Sequence, residues 1–298
     1  MFKRLILHLL LWVSAVVFAG ETPHAQPASS YLTVYQGDNL PILQQLPSAS
    51  IDLIYIDPPF NTGHRQSRKR TKADSEQERS LEAYSYEDSY DDYIAFLEPR
   101  MREAYRLLKP TGSLFVHLDY REVHYCKVML DSIFGRDCFI NEIIWVYDYG
   151  ARSKTRWSTK HNNILWYVKN PKQYVFHYDE IDRIPYMAPT LVSPEKAARG
   201  KTLTDVWWHT IVSPTGKEKT GYPTQKPRGI IDRIVKVHSN PGDLALDFFA
   251  GSGTLGESAY LLGRSAILID CNPQAIEVMQ KRFSQFNVRW ILPQEKSD

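Results

Sequence analysis

Cysteine is scarce in this 298-residue chain: Cys126, Cys138 and Cys271 are widely spaced and form no C-x-x-C pair. That spacing argues against a zinc site and a disulfide framework, so no metal is expected. An excess of one charge is missing too. Lys+Arg number 36 and Asp+Glu 34, leaving +2, and a balance so near zero says little about partners. We find no internal repeat, which excludes a solenoid or propeller. The main apolar run, residues 5–19, is shorter than the roughly 20 residues a membrane-crossing helix needs. It follows Lys3 and Arg4 and ends in Val17-Phe18-Ala19, the pattern of a secretory signal peptide. Residues 22–30 are a Pro/Ser/Ala-rich connector, so residues 1–30 are expected to be a disordered extension. The folded part is expected to run over 31–298.

What is present is ordinary globular composition with uneven local charge. Residues 64–72 carry Arg65, Arg68, Lys69, Arg70 and Lys72 without an acid, and Arg152, Lys154, Arg156 and Lys160 form a second basic run. Between them lies an acidic stretch that includes Glu82, Glu87, Asp88, Asp91, Asp92 and Glu98. Basic segments in a neutral chain suit a phosphate-contacting face, and equally solvated loops. Apolar spacing predicts helices over 40–46, 91–108, 121–134, 228–238, 253–262 and 275–283. Strands are predicted over 51–56, 113–118, 143–146, 164–168, 244–249 and 265–269. Strands alternating with helices imply an α/β fold with a mostly parallel sheet covered on both faces. Residues 61–80 read as a long loop. Residues 170–215, irregular and rich in Tyr, Pro and Trp, read as an inserted recognition segment.

The most informative feature is Asp57-Pro58-Pro59-Phe60, which ends the apolar run of residues 51–56. Two prolines fix two φ angles and remove two backbone donors, so nearby carbonyls stay free to accept from something else. An acid, a free carbonyl and an aromatic ring at a strand's carboxyl end can hold a flat, amino-bearing ring. They can equally be a Pro-rich turn that caps a strand.

A second constellation, Asp247-Phe248-Phe249-Ala250-Gly251-Ser252-Gly253-Thr254, follows a strand and opens a helix. Its glycines allow a tight turn and close approach of a ligand, and the helix start offers free N–H groups. Asp270 ends the next strand, where a carboxylate can accept from ribose hydroxyls. Gly251 to Gly256 matches G-x-G-x-x-G, a dinucleotide signature. Its late position, the acid before it and the separate Asp-Pro-Pro-Phe cluster favour a single-nucleoside cofactor without pyrophosphate.

Together these residues resemble the amino-methyltransferases of DNA, which methylate adenine N6 or cytosine N4. Asp57 to Phe60 is similar to that family's catalytic motif, and Asp247 to Thr254 to its cofactor-binding motif. Tyr222-Pro223-Thr224-Gln225-Lys226-Pro227, Asn61-Thr62-Gly63 and the segment Gly112 to Asp119 also resemble family elements. The catalytic motif comes first, the order of the subgroup called beta. The likeness runs over about 31–283.

The resemblance implies a Rossmann-like S-adenosylmethionine-dependent methyltransferase fold with a seven-stranded sheet. It implies S-adenosylmethionine as cofactor, with its methionine end near Asp247, Phe249, Ala250, Gly251, Ser252 and Gly253, and its ribose near Asp270. Lys226 is then a partner for the cofactor carboxylate. Asp57 and the Pro58 carbonyl would accept the two amine hydrogens while Phe60 stacks on a base flipped out of duplex DNA. Arg65, Arg68, Lys69, Arg70, Arg152 and Lys154 are expected on phosphates. Trp207-Trp208-His209 would serve sequence readout or the core, and His117 reads as a structural histidine. Trp145, Trp166 and Tyr167 read as core. Asp57 itself resembles the adenine-methylating members, since cytosine-N4 members more often carry serine there.

The expected partner is double-stranded DNA, with a cognate restriction endonuclease and a second copy of the chain as further partners, and no membrane. A DNA-modifying enzyme meets its substrate and cofactor in the cytoplasm, so the signal-like start is read as translated upstream sequence. Cytosine-N4 methylation, methylation of a protein glutamine or of RNA, and a non-catalytic DNA-binding relic are the competing readings.

Overall fold

The computed structural model describes residues 30–64, 66–67, 85–86, 88–213 and 215–293. The signal-like start therefore lies outside the described residues. In chain order the strands and helices are β1 (Leu32–Gln36), α1 (Asn39–Gln45), β2 (Ile51–Ile56), β3 (Gln66–Ser67), β4 (Ser85–Tyr86), α2 (Tyr93–Leu107), β5 (Leu108–Leu118) and α3 (Val123–Phe134). Then come β6 (Phe139–Val146), β7 (His161–Val168), β8 (Arg183–Ile184), α4 (Pro194–Arg199), β9 (Lys201–Thr202) and β10 (Val206–Trp208). The chain closes with α5 (Arg228–His238), β11 (Leu244–Asp247), α6 (Thr254–Leu261), β12 (Ser265–Asp270), α7 (Pro273–Arg282) and β13 (Val288–Ile291).

The main sheet has nine strands in the order β10-β6-β7-β5-β2-β11-β12-β1-β13. Every neighbouring pair is parallel except the two made by β7. The sheet is thus mostly parallel, as expected, but wider than seven strands. The added width comes from short edge strands, β10 and β13, whose three and four residues carry too little periodicity to be read from sequence. β10 pairs with β6, so the end of the 170–215 segment is built into the sheet.

Period-two alternation divides the strands between two cores. In β2, Leu53 and Tyr55 face the layer made by α5, α6 and α7, while Ile54 and Ile56 face α2 and α3. In β5, Phe115 goes to the first layer and Leu114, Val116 and Leu118 to the second. The helices follow from amphipathic spacing and defined starts. Asp92 caps α2 by accepting from the Ala95 N–H at 2.9 Å, and α5 buries Ile230, Ile231, Ile234 and Val235 on one face. Trp145, Trp166 and Tyr167 are buried, as read from the sequence.

The topology decides where a ligand can sit. From β2 the chain goes to β5 on one side, and from β11 to β12 on the other, while β2 and β11 are hydrogen-bonded neighbours. A crevice opens at the carboxyl ends of strands at such a reversal. Asp57, Asp119, Asp247 and Asp270 lie at the carboxyl ends of β2, β5, β11 and β12, all on that edge.

Phe115 is fully buried and stacked on Trp166 with centroids 5.7 Å apart. Phe115→Ala should cost about 3–5 kcal/mol of stability, measured by urea denaturation. A loss below about 0.5 kcal/mol, the ordinary size of a surface change, would show that the sheet is not packed this way.

Candidate active site

Asp57 leaves β2 into the crevice with its side chain only 17 % exposed. Its Oδ2 accepts from Lys226 Nζ at 2.5 Å, while Oδ1 is buried without a hydrogen-bond partner among the described residues. Burial pushes the Asp57 carboxyl above its ordinary pKa, and the Lys226 ammonium opposes that shift. Phe60 lies beside the same ammonium, 4.9 Å from Nζ to ring centroid. Its other neighbour is His117, centroids 6.0 Å apart. His117 is fully buried, its Nδ1 bonded to the Tyr55 hydroxyl at 2.8 Å. Burial, with Lys226 adding to it, holds that imidazole well below its usual pKa, so it stays neutral. Its Nε2 is buried without a hydrogen-bond partner among the described residues, so the ring is not the fully satisfied structural histidine expected from the sequence.

The loop after the motif is tied down by Asp88. Asp88 Oδ1 accepts from the Asn61 N–H at 2.7 Å and Oδ2 from the Thr62 hydroxyl at 2.6 Å. Asn61 sits at φ +53°, a conformation asparagine tolerates better than most residues. Its side chain spans Glu122 Oε1 at 2.8 Å and the Tyr90 N–H at 3.0 Å. Asp88 appeared in the sequence as one acid of a run. Its anchoring role has no local signal.

The glycine turn follows β11. Asp247 Oδ1 accepts from the Phe249 N–H at 3.0 Å, and Asp270 accepts from Gly251 N–H at 2.7 Å and Asn272 N–H at 2.8 Å. Asp270 therefore shapes the turn as well as lining the cavity. Burial raises both carboxyls, Asp247 strongly; neighbouring Asp57 and Asp270 add to the Asp247 shift, and backbone N–H groups oppose it at each acid. Gly251 lies under Tyr222, where a Cβ would meet the ring at 3.2 Å. Arg282 braces the turn from α7: it donates to the Ser252 carbonyl at 3.0 Å and to Thr254 Oγ1 at 3.2 Å, and pairs with Glu257 at 2.6 Å. Across the crevice Asn39 donates to the Phe248 carbonyl at 2.6 Å and is itself held by Arg100 Nε at 2.6 Å. Neither Arg282 nor the Asn39–Arg100 pair was found from sequence.

Two cavities meet at Asp57-Pro58-Pro59-Phe60. One, of about 430 Å³, is lined by Asp57, Pro59, Lys226, Asp247, Phe249, Gly251 and Asp270, with Tyr90, Phe96 and Tyr222 as aromatic walls. The other, of about 410 Å³, is lined by Phe60, Asp88, Asp119, Arg121, Tyr147, Arg156 and Asn162. Thr224 borders both. Of the expected catalytic and cofactor residues, Phe60 lines the second cavity, Pro58 and Gly253 line neither, and the others line the first; Lys226 has its ammonium on Asp57 and on the Thr224 carbonyl at 3.3 Å. Of the expected DNA contacts, Arg152 and Lys154 are exposed on the loop that borders the second cavity. Arg152 pairs with Asp148 at 2.8 Å. Arg65, Arg68, Lys69 and Arg70 lie outside the described residues. Trp207 is core, whereas Trp208 is 68 % exposed.

This geometry sets the chain beside known proteins. A family profile described as DNA methylase matches residues 51–281. The chain belongs to that family. It is 33 % identical over 246 residues to the type II methyltransferase M.HpaI of Haemophilus parainfluenzae, covering 82 % of this chain and 72 % of that one. It is 30 % identical over 258 residues to the DNA adenine methyltransferase YhdJ of Escherichia coli K12, covering 84 % and 82 %. The fold matches the PvuII cytosine-N4-specific DNA methyltransferase with a TM-score of 0.60 at 20 % identity, over 85 % of this chain and 88 % of that one. Solved structures of this fold include S-adenosylmethionine complexes.

The first cavity fits that cofactor. Its volume is within the ~300–1,000 Å³ usual for small-molecule sites; it has a glycine cradle, aromatic walls and two buried acids for polar hydroxyls and amines. S-adenosylmethionine is the cofactor of this family, and the residues present suit it.

Gly253 sits at φ +75°, and a Cβ there would fall 2.5 Å from Phe283 Cζ and 2.8 Å from Met279 Cγ. Gly253→Ala should cost about 1–3 kcal/mol through overpacking and weaken S-adenosylmethionine binding. Thermal denaturation with calorimetric titration measures both. Unchanged melting and unchanged affinity would show that the turn is not held against α7.

Proposed function

We propose that the chain transfers the methyl group of S-adenosylmethionine to adenine N6 in duplex DNA. The observation that carries this reading is Asp57 Oδ1: a buried acceptor with no partner among the described residues, at the junction of two cavities, with Phe60 facing the second. An orphaned buried acceptor costs roughly 1–3 kcal/mol, a cost recovered when a ligand donates to it.

An exocyclic amine is a weak nucleophile because its lone pair is delocalised into the ring. Asp57 Oδ1 and the Pro58 carbonyl accept the two N–H bonds, which steers the nitrogen toward tetrahedral geometry and aims its lone pair across the Asp57–Pro59 wall. The bound cofactor supplies an electrophilic methyl in the first cavity. Phe60 stacks on the base in the second. Catalysis is then positioning and electrostatics, with no covalent intermediate on the protein. The carboxylate also faces the positive charge that develops on nitrogen as the N–C bond forms at the expense of the donor's S–CH3 bond; the surplus N–H proton then passes to Asp57 Oδ1 and on to solvent, leaving a neutral methylamino group and a thioether.

Adenine is favoured by the acid at position 57 and by the likeness to YhdJ, a DNA adenine methyltransferase. Duplex DNA is favoured by the exposed loop of residues 150–160, which carries Arg152, Lys154 and Arg156 beside the second cavity and holds Trp157 almost fully in solvent (97 %). Cations there suit phosphates, and the cost of unpairing the target base, roughly a few kcal/mol, must come from such contacts. Among the described residues no helix is long and apolar enough to cross a membrane, and a cytoplasmic enzyme is the reading consistent with this substrate. A cognate endonuclease and a homodimer belong to the same proposal.

Incubation with methyl-labelled S-adenosylmethionine and duplex DNA should place label on adenine N6. Asp57→Ala should lower transfer by about a hundredfold or more and leave cofactor binding in place. Label on cytosine N4 would move the assignment to that base. Activity that survives Asp57→Ala would contradict the mechanism.

A further inference from the structure

Lys226 stands two residues before α5, and its ammonium reaches an acid 169 positions earlier in the chain. It spends one N–H on Asp57 Oδ2 at 2.5 Å and another on the Thr224 carbonyl at 3.3 Å. Its side chain is only 10 % exposed. The backbone is held as well: Thr254 Oγ1, on the first turn of α6, donates to the Lys226 carbonyl at 3.2 Å. Arg282 in turn donates to Thr254 Oγ1 and to the Ser252 carbonyl. The turn that cradles the cofactor is therefore joined through Lys226 to the acid that faces the amine.

We propose that Lys226 is a positioning residue: by holding Asp57 Oδ2 it turns Oδ1 toward the target amino group, and through Thr254 it keeps that acceptor in register with the methyl donor. This rests on the methyltransferase reading and reassigns Lys226 from the cofactor carboxylate to the catalytic acid. Two facts favour the reassignment. Two of the three ammonium N–H bonds are already used, one of them on Asp57. The Asp57 oxygen that Lys226 does not touch is the one left without a partner among the described residues.

The pairing also opposes the upward pKa shift that burial gives Asp57. Among the described residues, the groups that act on the carboxyl are Lys226 from the loop before α5, Asp247 from the end of β11, Asp88 from the loop before α2 and Tyr55 of β2, with His117 of β5 behind Tyr55 and Phe60. Lys226 is the cation of this set. Burial raises the Asp57 pKa and Asp88 adds to it, while Lys226 lowers it. The amine needs an ionised acceptor, so transfer falls away as pH drops through the Asp57 pKa. Removing the ammonium raises that pKa further, and the acid limb of activity must move to higher pH.

The test is the pH profile of kcat for methyl transfer to duplex DNA, together with KM for S-adenosylmethionine. Wild type, Lys226→Met, Lys226→Gln and Lys226→Arg are compared, with thermal melting to confirm folding. In Lys226→Met and Lys226→Gln the acid limb should move up by about one to three pH units. Their kcat should fall about tenfold or more near neutrality and recover as pH rises, with little change in cofactor KM. Lys226→Arg should keep the wild-type limb. A raised cofactor KM with an unmoved limb would return Lys226 to the cofactor carboxylate and overturn the proposal. An equal loss of kcat at every pH, a merely structural role, would overturn it too. Wild-type protein that methylates no DNA would sink the underlying reading, and that result is visible before any variant is compared.

Discussion

A carboxylate and an ammonium 2.5 Å apart hold this site together. Asp57 comes from the first third of the chain and Lys226 from the last, and each is nearly buried. Neither charge tolerates that environment alone, because an isolated buried ion costs several kcal/mol after relaxation. The pair can exist only if β2 and β11 lie side by side and the loop before α5 crosses their carboxyl ends. The sheet order provides this, since the chain reverses direction across the sheet between those two strands. Topology and electrostatics therefore specify one another here. The same crevice that a doubly wound sheet leaves open is the place where an acid, a cation and a glycine turn converge.

That convergence separates the site into two compartments with different chemistry. The cofactor side has aromatic walls and a backbone cradle braced by Asp270 and Arg282. The second cavity, which the proposed function gives to the substrate, is more polar, bordered by Asp88, Asp119, Arg121 and a cationic loop. The wall between them is a tripeptide with two prolines and an unpartnered oxygen. Prolines suit that place because they hold the wall stiff without adding donors that would compete for the acceptor.

Much of this was legible in the chain. The helices of residues 93–107, 123–134 and 228–238 follow amphipathic spacing strong enough to place them within about two residues. Asp57 to Phe60, Asp247 to Thr254 and Asp270 could be found because chemistry at a strand's carboxyl end leaves a compact, contiguous signature. The residues that brace them could not. Asp88 anchors Asn61 and Thr62 from 27 and 26 positions away, and Arg282 reaches Ser252 over 30. Such contacts depend on which elements become neighbours, and no local pattern records that. Strand β1 was not read either, and edge strands β10 and β13 escaped for a related reason: a strand of three or four residues is defined by its partner more than by its own composition. Lys226 shows the limit most plainly. Its place in Tyr222 to Pro227 marked it as functional, but its partner became visible only when the β2 end and the α5 start were seen together.

The central claim is that Asp57 presents an acceptor to the amino group of an adenine turned out of duplex DNA. The most direct measurement is base-resolved sequencing of modified bases in genomic DNA from a host expressing the chain, beside the same host expressing Asp57→Ala. The account predicts N6-methyladenine at a defined sequence in the first and its absence in the second. N4-methylcytosine at the site, or N6-methyladenine that persists with Asp57→Ala, would contradict it.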